Sequence, residues 1–90
     1  MIEIFYSKKC EHCQEAMKYM DARRLPYKAY DLSDKEGRDL RRQFREAGYK
    51  ILPVIIHTKD VGLPTQDAKI YFGFKESDIE EIMKYELTRE

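Results

Sequence analysis

The stretch IEIFYSKKCEHCQEAMKYMDARRLPYKAYDL, residues 2–32, decides the fold. Ile2, Ile4 and Tyr6 alternate with Glu3 and Phe5, the period of a short strand. After the loop Ser7-Lys8-Lys9 the period changes. Cys13, Ala16, Met17 and Met20 fall at i, i+3, i+4 and i+7, which predicts a helix from about Glu11 to Arg24. Pro26 stops it, because proline lacks the N–H and restricts Leu25 before it. Tyr27–Leu32 then reads as a second strand. Strand, helix and strand within about thirty residues is a βαβ unit with parallel strands and a right-handed crossover.

Working outward, Ser33 and Glu36 have the spacing of a capping box and open a second predicted helix through about Ala47. Leu40, Phe44 and Ala47 form its apolar face, Arg38, Arg41, Arg42 and Arg45 its solvated face, and Gly48 is placed to end it. Ile51–Ile56 is an apolar run for a buried strand. Pro53 must stand at its start, where no ladder N–H is needed. Lys59–Asp67, with Gly62 and Pro64, reads as a loop. Ile70-Tyr71-Phe72 reads as a fourth strand antiparallel to the third, and Gly73 ends it. Ser77 and Glu80 form another apparent capping box, before a helix with Ile79, Ile82, Met83 and Leu87 on its core side. The predicted order is βαβ-α-ββα, one α/β domain over residues 1–90.

Composition narrows the function classes. The 90 residues are 42% hydrophobic and 38% charged, with 7 Tyr and 4 Phe, too apolar for a disordered chain. Seventeen basic and seventeen acidic residues cancel, so no global field favours nucleic acid or a membrane surface. No apolar run approaches the roughly 20 residues of a membrane span. The N-terminus lacks the pattern of a secretory signal, so a cytoplasmic monomer is expected.

The only two cysteines are Cys10 and Cys13, in Cys10-Glu11-His12-Cys13. A bridge three residues long closes almost no loop of the unfolded chain, so it would be a poor structural staple. A zinc site would need more ligands, and His12 and His57 do not supply a second pair. C-x-x-C beside a βαβ unit reads instead as a thioredoxin-like redox motif. Cys10 falls at the N-cap of the first helix, where free N–H groups, the helix dipole, Lys8 and Lys9 favour a thiolate. Cys13 lies on the apolar stripe, where burial raises a thiol pKa. Cys10 is therefore expected to attack disulfides and Cys13 to resolve the mixed disulfide. His12 is a candidate modulator of Cys10, and Tyr6 a candidate neighbour of the site.

With these residues in place, nearly the whole chain resembles glutaredoxins and glutaredoxin-like redoxins. The resemblance implies a thioredoxin-like fold, a four-stranded mixed sheet flanked by three helices. It implies disulfide reductase activity without a bound cofactor or metal, glutathione as co-substrate, and disulfide-containing proteins and a reductase as partners. It also implies a cis Pro53 facing Cys10, and a Leu52 backbone offered to an extended substrate. Lys8, with Arg38 and Arg41 as secondary candidates, would meet the glycine carboxylate of glutathione, and Ser77 and Asp78 its γ-glutamyl end. Glu11-His12 stands where the family usually has Pro-Tyr, Ile51-Leu52 where it has Thr-Val, and Gly73-Phe74 where it has Gly-Gly. The last feature resembles redoxins served by thioredoxin reductase, and the Lys59–Lys69 hairpin is longer than usual. Reduction by thioredoxin reductase, or a non-catalytic binding or metal-carrier module on the same fold, are the alternatives.

Overall fold

The computed structural model describes residues 1–35, 37–49, 51–59 and 67–88. The elements are β1 (Ile2–Tyr6), α1 (Glu11–Ala22), β2 (Lys28–Asp31), α2 (Arg38–Glu46), β3 (Val54–Lys59), β4 (Asp67–Phe72) and α3 (Glu76–Thr88). They form a four-stranded sheet in the order β2-β1-β3-β4. β1 and β2 run parallel, while β3 is antiparallel to both β1 and β4. This is the mixed thioredoxin-like sheet with three helices that the sequence implies.

Alternation on the strands sorts the core into two layers. Ile2, Ile4, Ile55 and Tyr71 pack with Ala16 and Met20 of α1 and with Ile79 and Ile82 of α3. Phe5, Val54 and Leu32 point the other way, beneath Leu40 and Phe44 of α2. Phe5 stacks on Tyr30 at 4.8 Å and meets the edge of Phe44 at 4.9 Å.

Helix ends depart most from the expectations. α1 stops at Ala22 in a Schellman motif: Leu25 N–H donates to Met20 O and Arg24 N–H to Asp21 O. Arg24 occupies the left-handed position (φ 56°) where glycine is usual. α2 ends in the same motif with glycine present: Tyr49 N–H donates to Phe44 O and Gly48 N–H to Arg45 O, with Gly48 at φ 92°.

α2 does not open at Ser33. Asp31 takes the Ser33 N–H and Asp34 takes the Gly37 N–H, so side chains take these backbone donors before a helix can start at Ser33. Glu36, the other half of that capping box, lies outside the described residues. Gly37 caps α2 because the chain passes so close to β2: a Cβ there would lie 2.3 Å from Asp31 O. The second capping box is also corrected. α3 begins at Glu76, Lys75 O accepts from Ile79 N–H, and Glu80 is bound instead to Tyr19 and Arg23 of α1.

β3 lies three residues further along than the apolar run 51–56, and β4 begins three residues before the expected Ile70. Lys59 pairs with Asp67 and His57 with Lys69, so both ends of the expected Lys59–Lys69 hairpin lie in the ladder. Residues 60–66 lie outside the described residues. At this far end of the sheet His57 is wholly buried, its Nε2 2.8 Å from Glu86 Oε1. Burial pushes the His57 pKa below the ordinary 6.5, and the Glu86 carboxylate pulls against that shift.

Candidate active site

The register gathers the sequence candidates at one end of the sheet. Tyr6 closes β1 opposite Asp31, Val54 opens β3 opposite Phe5, and Phe72 closes β4 opposite Val54. The dithiol turn leaves β1 at this end, Pro53 enters β3 there, and Gly73 leads from it into α3. The Leu52–Pro53 peptide is cis and the Pro53 side chain is buried, its carbonyl accepting from Gly73 N–H at 2.9 Å. Tyr6 is half-buried, and its carbonyl accepts from Leu32 N–H at 2.7 Å, tying β2 to the same end.

Ser7 builds the turn. Its carbonyl accepts from Cys10 N–H at 3.0 Å, closing a four-residue turn through Lys8 and Lys9. Cys10 is then extended (φ −93°, ψ 109°) and is the N-cap of α1. Its Sγ accepts from Cys13 N–H at 3.2 Å, as a capping serine oxygen would, and its carbonyl accepts the first helical bond from Gln14. The N-cap position thus sets the Cys10 sulfur at the start of α1, against the first-turn backbone N–H of Cys13.

The two thiols are free and unequal. Cys10 is half-exposed, whereas Cys13 is wholly buried. Burial first, and then a hydrogen bond to Cys10, push the Cys13 thiol up to about 12. Cys13 is thus held protonated beside an accessible sulfur.

The remaining candidates separate. Lys8 is exposed but its Nζ lies 3.6 Å from Asp31 Oδ2. Asp31 is held below the ordinary carboxylate range by its bonds from Ser33 and by Lys8. His12 is exposed, with Nδ1 3.9 Å from Glu15 Oε2 one turn along α1. Ser77 and Asp78 lie in the first turn of α3, Ser77 exposed and Asp78 half-buried, with Asp78 N–H donating to Lys75 O. Among the described residues, no three or more His, Cys, Asp or Glu side chains gather where they could hold a metal ion.

A cleft of about 300 Å³ adjoins this end, lined by Leu32, Arg41, Phe44, Arg45, Tyr49 and Leu52. The sequence reading put the arginines opposite Phe44. Arg41 and Arg45 instead share its side of α2, as the i, i+3, i+4 spacing of 41, 44 and 45 allows. That spacing was the available signal; the walls, Leu32 and Leu52, come from distant parts of the chain.

Residues 2–61 match the sequence model of the family described as Glutaredoxin. A comparison with curated protein sequences gives no match. Among solved structures, the glutaredoxin-like protein NrdH-redoxin from Escherichia coli superposes with a TM-score of 0.64 at 18% identity, covering 89% of this chain and 91% of its own. The glutaredoxin grx-1 from Archaeoglobus fulgidus gives 0.65 at 13% identity, with 92% and 85% covered. A mutant of a thioredoxin-like protein gives 0.65 at 15% identity, with 92% and 99% covered. The structural likenesses concern the fold. The sequence match, which runs from β1 through the dithiol turn and past the end of β3, places this chain in the glutaredoxin family.

Proposed function

We propose that the protein is a small dithiol oxidoreductase that reduces protein or glutathione mixed disulfides, with Cys10 as nucleophile and Cys13 as resolving thiol. The observation that carries this reading is the inequality of the sulfurs: one half-exposed at a helix N-cap, the other buried and held protonated. In the first step the Cys10 thiolate attacks a substrate disulfide, forming a Cys10 mixed disulfide and releasing one substrate thiolate. That bond removes the negative charge and the hydrogen bond by which Cys10 raises the Cys13 pKa. Cys13 then gives up its proton and attacks Cys10. The second substrate thiol leaves, two electrons have reached the substrate, and Cys10–Cys13 is oxidised. A dithiol reductase or two thiols restore the reduced pair, in a reducing, cytoplasmic setting. Pro53 and the Leu52 backbone would line the substrate, with Lys8, His12, Ser77 and Asp78 at its margins.

A specific observation favours a reductase such as thioredoxin reductase over glutathione as the electron source. Lys8, which would meet the glycine carboxylate, is already paired with Asp31. Phe74 after Gly73 is packed edge-on against Tyr19 at 5.6 Å. The NrdH-redoxin that shares the fold is itself described as having a thioredoxin-like activity profile.

Disulfide reduction is expected to fall to background in Cys10→Ser, whereas Cys13→Ser should complete the first step and stall as a mixed disulfide. Full turnover in Cys10→Ser would overturn this reading, and partner binding that survives with no turnover in the wild-type protein would favour a binding or carrier role. Coupled assays with glutathione plus glutathione reductase, and with thioredoxin reductase, identify the donor.

A further inference from the structure

The cleft beside α2 is not needed for the exchange between Cys10 and Cys13, yet it opens at the same end of the sheet. Its Leu32 directly follows the Asp31 that pairs with Tyr6, and its Leu52 directly precedes Pro53. Part of its lining is aromatic: Phe44 and Tyr49 meet edge-on at 5.6 Å. Two arginines, Arg41 and Arg45, line it as well. On the same helix Arg42 is paired with Asp39 at 3.7 Å, but among the described residues Arg41 and Arg45 have no ion pair. With zero net charge on the chain, any attraction for an anion here comes from this local pair.

The apolar surface continues out of the cleft. Tyr49 lies 5.1 Å from Phe72, which is 39% exposed, and Ile51, 61% exposed, stands beside Gly73. Exposed aliphatic and aromatic side chains beside unpaired arginines make up the composition of a protein-binding surface.

We propose that this cleft docks a segment of the protein substrate in which a carboxylate side chain neighbours an apolar one, close in sequence to the disulfide being reduced. The carboxylate pairs with Arg41 and Arg45, whose planar forks suit it, and the apolar side chain lies on Phe44 and Tyr49. This inference rests on the proposed disulfide reduction and names the substrate class for it.

The test uses disulfide peptides that differ only beside the disulfide, Glu-Leu in one and Gln-Leu in the other, together with hydroxyethyl disulfide. The wild-type protein should show a kcat/KM about tenfold higher for the acidic peptide, expressed in KM and shrinking with added salt. Arg41→Gln with Arg45→Gln should abolish that preference, whereas Arg42→Gln should keep it and leave hydroxyethyl disulfide turnover unchanged. Equal rates on the two peptides, or a preference that survives the double substitution, would overturn the proposal. So would an equal loss on a glutathionylated neutral peptide, which would assign the arginines to glutathione. Calorimetric binding of the acidic peptide with serines in place of its cysteines reads the cleft without any redox step. Binding without turnover of any disulfide would keep the docking site and sink the reductase; turnover without selective binding would do the reverse.

Discussion

The two faces of the sheet are built to different standards. One is sealed by two helices: Ile4, Ile55, Ile79, Ile82, Ala16 and Met20 are wholly buried there. The other carries α2 alone, a nine-residue helix with no buried residue, held on by half-buried aromatics. At about 1.5 Å per residue, α2 is some 13 Å long and cannot cover the sheet; Ile70 and Phe72 remain partly exposed. The difference teaches where the fold is secured and where side chains of the sheet stay open to solvent. Cys13 belongs to the sealed face, anchored in the stripe with Ala16 and Met20, and Cys10 sits where the chain emerges from it.

Truncation is the harshest way to break this comparison. Ile82→Ala should cost about 3 kcal/mol, since it empties part of a closed core, whereas Phe44→Ala on the open face should cost about half that. Urea unfolding of both variants measures the pair, and equal losses would show that the faces are alike. Next in size is Gly37→Ala. Its φ of −80° suits alanine, but the new methyl would meet Asp31 O and Leu32 Cα, forcing α2 away from β2 at a cost of about 2 kcal/mol. Circular dichroism and thermal melting check this; an unchanged melt would mean that α2 moves freely.

The smallest effect concerns the sealed face. The unfolded chain protonates histidine near pH 6.5, but buried His57 resists protonation to a lower pH. Stability linked to this group is therefore complete above about pH 6.5 and is lost as pH falls from there through the folded-state pKa. Glu86 and the N-terminal ammonium, 3.8 Å apart, and Lys59 face the same region. His57→Leu should flatten the stability profile as pH falls below about 6.5. An unaltered slope would place the acid sensitivity elsewhere.

Much of this was legible in the residues because the forces involved are local. The alternation in 2–6, the Cys10 N-cap with an apolar stripe behind it, Gly48 after α2 and Pro53 before β3 each follow from the chain's immediate geometry. Long-range competition hid the rest. Ser33-x-x-Glu36 looks like a helix start, but the side chains of Asp31 and Asp34 take the nearby N–H groups first. Ser77-x-x-Glu80 has the same look, yet Glu80 is held by Tyr19, 61 residues away. The pairings Lys8–Asp31 and His57–Glu86 also depend on the assembled sheet and helices. Arg24 in a glycine conformation has no sequence signal at all.

The central claim is that the exposed sulfur reacts and the buried one resolves. Peptide-resolved mass spectrometry of Cys13→Ser after incubation with a disulfide peptide tests it most directly. The account predicts a single stable adduct on Cys10, and in the Cys10→Ser protein an unmodified Cys13. An adduct on Cys13 in Cys10→Ser, with none on Cys10 in Cys13→Ser, would contradict it.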